Sequence, residues 1–460
     1  MSQEKSAARF SRRDLFYLGA LLLVAFLVGL RGILNYGYIG QDFDPHNLLI
    51  KTFPGGYGYG LTNPPGLYFL GNLIYRHVTD VYYLEIFAFL FLVLNLAGLW
   101  VLFELLWRMI GSWRLRYAAA ALITFIPFRT IHSLVLASDA LTVPLFVAIV
   151  LLTLRLFRNP RSVFTWAGLS LTLSAALMIK YTFVGLLVPI AFVVGIKTFQ
   201  DLTLRQGLRC LALVVFALGI PAMVFLLQMR ESRKLGGQTT SGHWKAKETP
   251  SIMRWSDILL PQRSDVEIFS APQYFRDKVY VTRKYSYLGL VHLTSFTDSQ
   301  NFFQTPPAGV STDWKQRAQA SFFRDRSPRS QTFSALSVAW CLPLSMLAIA
   351  GTLGCGALAL HALFFPARAR VPAETIVVTA LAAGFYAPVF FSLTRLGDPY
   401  TPGYWLPRLV LPGLLVFFAL GYVLLDAGAK NGPPRREKIT GTLSLVHAAV
   451  ACGIFIALLF

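Results

Sequence analysis

Apolar residues fall along this chain in blocks of about 20, separated by polar turns that carry most of the Lys and Arg. A block of that length crosses a ~30 Å hydrocarbon layer as an α-helix, which satisfies its own backbone away from water. The blocks run at about Leu15 to Leu34, Tyr83 to Trp107, Tyr117 to Leu134, Leu141 to Phe157, Phe164 to Met178, Phe183 to Val194, Cys210 to Gln228, Leu336 to Phe365, Glu374 to Leu393, Leu409 to Leu425 and Leu443 to Phe460. This pattern predicts an all-α polytopic membrane protein of about 11 transmembrane helices.

The basic residues sort the turns by side. Lys5, Arg9, Arg12 and Arg13 precede the first block, and Arg108, Arg114 and Arg116 follow the second. Arg155, Arg158 and Arg161, then Lys197, Arg205 and Arg209, Arg368 and Arg370, and Lys430, Arg435, Arg436 and Lys438 mark every second turn after that. By the positive-inside rule these turns and the N-terminus are cytoplasmic, and the intervening turns are extracytoplasmic. Three regions follow: an N-terminal transmembrane module over 1–228 with its first outer loop at 35–82, a long extracytoplasmic loop over 229–331, and C-terminal transmembrane helices over 332–460. No fixed-period repeat or low-complexity segment is visible.

Composition supports the same class. The 460 residues are 55% hydrophobic and 14% charged, where a soluble domain carries about a quarter charged residues. The net charge of +20 is spread in small groups between apolar blocks, so it reads as membrane topology and gives no basic face for nucleic acid. Cys210, Cys341, Cys355 and Cys452 lie in apolar stretches without metal or disulfide spacing and read as packing residues. The first block lacks a small-residue cleavage site and reads as a retained span.

Sorting by side gathers Asp42, Asp44, His46, Lys51, Asn63, Asp139, Lys180, Arg395, Asp398 and Arg408 at extracytoplasmic helix ends. Any one of them taken alone is a solvated or snorkelling charge; together they are candidates for one site. The first outer loop is the richest part. Gln41-Asp42-Phe43-Asp44-Pro45-His46 leads into a short amphipathic stretch through Leu48 to Phe53, expected to lie on the membrane surface. Thr62-Asn63-Pro64-Pro65-Gly66-Leu67-Tyr68 then breaks the chain and can open a helix, because proline cannot continue one. An ionised carboxylate there suits general-base work on a sugar hydroxyl, and outer cations suit a phosphate leaving group. Asp42, Asp44 and His46 lack further ligands for a convincing metal site, so no metal is assigned, although a divalent metal remains compatible with these acids.

In these residues the chain resembles the C-type superfamily of membrane glycosyltransferases that use polyprenyl-phosphate sugars, relatives of protein mannosyltransferases and aminoarabinose transferases. Gln41-Asp42-Phe43-Asp44 is similar to that group's first-loop acidic motif, with Phe43 where a second acid is common. Asn63-Pro64-Pro65-Gly66-Leu67-Tyr68 resembles the Pro-Pro-Leu-Tyr type element closing the loop, and Ser138-Asp139-Ala140-Leu141 the second outer acidic position. Leu177-Met178-Ile179-Lys180-Tyr181-Thr182 is similar to a Thr-Lys-Tyr type element, and Tyr404 to Pro412 is a fainter echo of an Arg-Tyr-Leu-Leu-Pro type segment. The resemblance implies Asp42 as catalytic base, Asp139 as supporting acid and Lys180 as donor-phosphate ligand; Asp44, His46, Asn63, Tyr68 and Tyr181 are further candidate substrate contacts. Arg395 and Arg408 join the phosphate by side and charge.

The activity implied is transfer of a sugar, with inversion, from a polyprenyl-phosphate-linked donor to a lipid, glycan or protein acceptor on the extracytoplasmic face. No cofactor is required, consistent with the lack of a Gly-rich phosphate loop. The expected setting is a bacterial inner membrane with a periplasmic site, an ER membrane with a luminal site looking alike on physical grounds, with membrane lipids and no nucleic acid as partners. Rival readings are a transporter or flippase of lipid-linked sugars, a polysaccharide polymerase or ligase working through the long loop, and a non-enzymatic assembly subunit. A transporter should carry ionisable groups at mid-membrane; Glu104, His361 and His447 lie nearer span ends.

Overall fold

A computed structural model describes residues 10–34, 43–55, 64–78, 82–234, 289, 291–292, 295–296, 328–365, 371–391 and 411–459. The side chains at 43–45 fall outside the described set. Every regular element among the described residues is helical. α1 spans Arg12–Leu34, α2 Phe43–Thr52, α3 Gly66–His77, α4 Tyr83–Met109, α5 Trp113–Phe125 and α6 Pro127–His132. A 3₁₀ turn over Ser138–Leu141 leads into α7, Thr142–Arg158, and α8 covers Val163–Ile179. A second 3₁₀ turn, Tyr181–Leu186, leads into α9, Leu187–Asp201, followed by α10, Leu204–Lys234. The remaining helices are α11 Pro328–Trp340, α12 Leu342–Phe364, α13 Ala373–Phe391, α14 Leu411–Lys430 and α15 Pro434–Leu459.

Eight described segments are long and apolar enough to cross a membrane, and α8 and α13 are shorter apolar helices. The chain is an integral membrane protein. The expected span over Tyr117 to Leu134 takes a different form. α5 stops at Phe125, Pro127 opens the six-residue α6, and the backbone from Ser133 to Ala137 is not helical. Proline at the first helical position removes the amide that would continue α5 and starts a new helix instead. Non-helical backbone of this kind is tolerated at membrane depth when protein buries it, and residues 126–142 are all buried.

One end of the bundle is tied by ionic contacts among the basic turns. Glu374, at the start of α13, faces Arg158 at the end of α7 and lies 3.6 Å from Arg108 at the end of α4. The Asp426 carboxylate near the end of α14 accepts from the backbone N–H groups of Gly111 and Ser112, both at 2.9 Å, and from Lys430 at 2.6 Å. Asp14 caps the start of α1 through Ser11 and accepts from Tyr117 at 2.9 Å. Away from these contacts, α2, α3, the start of α4, the end of α6, the Ser138–Leu141 turn and the end of α8 pack into one apolar cluster.

Helices approach most closely where side chains vanish. A Cβ on Gly185 would run into the Gly384 carbonyl oxygen, and one on Gly384 into Pro189, so the second 3₁₀ turn and α13 cross backbone to backbone. Small residues at such crossings are how apolar helices associate without help from water.

Candidate functional site

Asp139 and Lys180 meet at the end of the bundle opposite the basic turns. Asp139 sits in the 3₁₀ turn that begins the α7 span, and Lys180 is the residue on which α8 ends. The Lys180 backbone N–H closes the last turn of α8 on Ala176 O at 2.7 Å, and its extended backbone turns the chain out of the helix. The Lys180 Nζ and Asp139 Oδ1 form an ion pair, with the residues 6% and 3% exposed. Burying both charges costs several kcal/mol of desolvation each, so such a pair is weak evidence for stability. It stands where an ionisable residue within a membrane bundle marks function by default.

Three contacts hold this pair in place. Asn95, 1% exposed in the middle of α4, donates to Ala140 O at 2.6 Å and to Phe91 O at 2.9 Å. Thr142 donates to Asp139 O at 2.7 Å. Gly66, at the start of α3, packs so tightly on α8 that a Cβ there would lie 2.6 Å from Met178 O. The double proline therefore opens a helix as expected, and that helix abuts the turn carrying Lys180.

His46 and Tyr68 form a second buried pair. His46 Nδ1 and the Tyr68 hydroxyl lie 3.0 Å apart, joining α2 to α3. The two helices are further locked by Asn72, which donates to Ile50 O at 2.8 Å, and by Ile50 against Gly71. Tyr83 donates to Asn47, and Lys51 lies 5.5 Å from the Tyr75 ring centroid, a cation–π distance. Tyr68, Ile179, Ala140 and Leu141 belong to one apolar cluster, so both pairs share the same neighbourhood. Tyr181 packs edge-on against Phe225 of α10.

Of the residues singled out in the sequence, Asp42, Asn63, Arg395 and Arg408 lie outside the described residues, as does most of the 229–331 loop. Asp44 falls in α2, but its side chain is outside the described set. Among the described residues no group of three His, Cys, Asp or Glu gathers as metal ligands.

Two buried residues on α6 escape the sequence reading. Arg129 and His132, one turn apart on α6, are each 2% exposed. Both fall inside the block expected as one continuous span, and the signal that marks them is Pro127, a breaker inside an apolar run followed within two residues by a charge.

The fold and these buried pairs define a polytopic helical membrane protein with a polar site at one end. No protein-family model matches the chain. No curated protein matches it either. Among solved structures it is similar to the archaeal oligosaccharyltransferase AglB from Archaeoglobus fulgidus in complex with an inhibitory peptide and a dolichol-phosphate. The TM-score is 0.45 at 12% identity, covering 97% of this chain and 56% of that one. The apo form of the Archaeoglobus fulgidus oligosaccharyltransferase gives a TM-score of 0.40 at 12% identity, covering 96% and 57%. The form tethered to an acceptor peptide containing the NVT sequon gives 0.40 at 13% identity, covering 97% and 55%. The chain spans a little over half the length of these structures.

Proposed function

We propose that this protein is a glycosyltransferase that moves a sugar from a polyprenyl-phosphate-linked donor to an acceptor on the extracytoplasmic face of the membrane. The observation that carries the reading is the buried Asp139–Lys180 pair at the end of the bundle opposite the basic turns. It joins two of the motif positions at which the sequence resembles polyprenyl-phosphate-dependent enzymes. A bundle held by apolar packing gains little from burying an acid and a base, so the pair points to a function at this end.

In the reaction proposed, the acceptor oxygen attacks the anomeric carbon from the face opposite the phosphate. The new C–O bond forms as the bond to the phosphate oxygen breaks, the electron pair leaves with the lipid phosphate, and Asp42 takes the acceptor proton. Asp139 holds Lys180 charged and oriented, and cations around the headgroup stabilise the departing phosphate. His46 and Tyr68 fix α2, and with it the segment that follows Asp42. The positive-inside rule puts the basic end in the cytoplasm and the site on the extracytoplasmic face, which in a bacterial inner membrane is the periplasm.

The test is transfer in membranes supplied with labelled polyprenyl-phosphate sugars. Asp42→Asn is expected to reduce turnover by 10²-fold or more, the range over which a general base contributes. Full turnover by that variant would falsify the assignment of the base.

A further inference from the structure

The segment from α6 to the start of α7 is unusually polar for the interior of a membrane bundle. Arg129, Thr130, His132, Ser133, Asp139 and Thr142 are all at most 3% exposed. Most are satisfied locally: Thr130 bonds Ile126 O at 3.3 Å, Ser133 bonds Thr130 O at 2.7 Å, and Thr142 bonds Asp139 O. Asp139 pairs with Lys180. Arg129 is the exception. Its one hydrogen bond among the described residues runs from Nη2 to Thr130 Oγ1 at 3.1 Å, its Nε is buried without a partner, and no described carboxylate faces it.

A guanidinium carries five N–H donors and does not lose its proton. Buried without a counter-charge it is costly, because the charge keeps its desolvation penalty with no Coulombic return. Its retention here calls for an anion. Lys180 is the obvious phosphate ligand by sequence, but its charge is already offset by Asp139, so that pair presents no net charge to a headgroup. Arg129 supplies the unbalanced positive charge. A guanidinium fork also fits phosphate oxygens better than an ammonium does.

We infer that Arg129 binds the phosphate of the lipid-linked donor. This rests on the proposed transferase reading and names the group that holds its donor's headgroup. A sugar phosphodiester carries one negative charge, which one unbalanced arginine matches.

The experiment uses the full chain in zwitterionic nanodiscs, with thermal unfolding followed at several concentrations of decaprenyl phosphate, decaprenol or inorganic phosphate. Decaprenyl phosphate is expected to stabilise the wild-type chain and decaprenol to leave it unchanged. Arg129→Met should unfold at or above the wild-type temperature without ligand, yet bind decaprenyl phosphate at least 10-fold more weakly. Arg129→Lys should fall between the two. An Arg129→Met protein that binds decaprenyl phosphate as tightly as wild type overturns the inference. So does an Arg129→Met or Arg129→Lys chain that unfolds several degrees early without ligand, which marks a purely structural arginine. Protection of the wild type by inorganic phosphate as strong as by decaprenyl phosphate, lost in Arg129→Met, supports the anion site and removes the lipid-linked donor. Loss of decaprenyl phosphate binding in Arg129→Met alongside full turnover by Asp42→Asn separates a correct phosphate site from a wrong base.

Discussion

The Asp139–Lys180 pair gives the most demanding test of the site. Each group faces the other in a buried setting, 3% and 6% exposed. Asp139→Asn removes the carboxylate but leaves the ammonium, and Lys180→Met does the reverse. Breaking a buried pair one partner at a time costs about 3–5 kcal/mol, because the survivor keeps its desolvation penalty and loses its Coulombic return. An unfolding entropy of ~2.1 cal/mol/K per residue gives about 1 kcal/mol/K for a chain of 460 residues, so each single variant should melt about 3–5 °C early. The double variant Asp139→Asn/Lys180→Met removes both charges and should recover at least half of that loss. Transfer should stay abolished in all three, since stability returns and the chemistry does not. Intrinsic tryptophan fluorescence during heating in detergent reads the first quantity and labelled-donor transfer the second. Additive shifts in the double variant, with no recovery, would refute the claim that the two charges are energetically coupled.

Asn95→Leu takes away the amide that ties α4 to the Asp139 turn and leaves the buried Ala140 carbonyl without that donor; it should cost about 1–3 kcal/mol and lower transfer rate more than donor affinity, which initial-rate kinetics would separate. Gly185→Ala forces a methyl into the Gly384 carbonyl oxygen and should destabilise by about 1–3 kcal/mol through overpacking, while displacing the turn that begins one residue after Lys180; thermal unfolding and the Lys180-dependent transfer should fall together. Asp426→Leu loses two hydrogen bonds to the Gly111 and Ser112 amides at the other end of the bundle, and about 2–3 kcal/mol of stability with them, yet transfer per folded molecule should remain at the wild-type level.

The membrane class was legible because the signal is summed over whole spans: α1, α4 and α10 lie within a few residues of the blocks read from the sequence. The α5–α6 break was not, because a window of apolar residues counts Pro127 and Arg129 as two exceptions in an otherwise hydrophobic run. At a membrane span those two residue types outweigh the average, one by ending the helix and the other by carrying charge. Asp139 and Lys180 were legible as members of one set, since alternation of basic turns assigns helix ends to a common side. Their pairing was not, because nothing in sequence spacing brings residues 41 positions apart into contact. The His46–Tyr68 bond was hidden for the same reason; it depends on α2 folding back along α3, which Gly71 permits by admitting Ile50.

Charge is used differently at the two ends of this bundle. At the basic end, the Asp426 carboxylate receives two amides and an ammonium, and Glu374 faces two arginines. Those acids have their acceptor capacity engaged by the loops they tie, which is what a structural acid requires. Elsewhere, the acid and base of Asp139 and Lys180 cancel, while Arg129 on α6 keeps its Nε donor unused. A fold that can saturate its charges at one end is not short of carboxylates to do so at the other. An arginine left unsaturated in a buried polar segment is therefore best understood as complementary to an anion that the polypeptide does not itself supply.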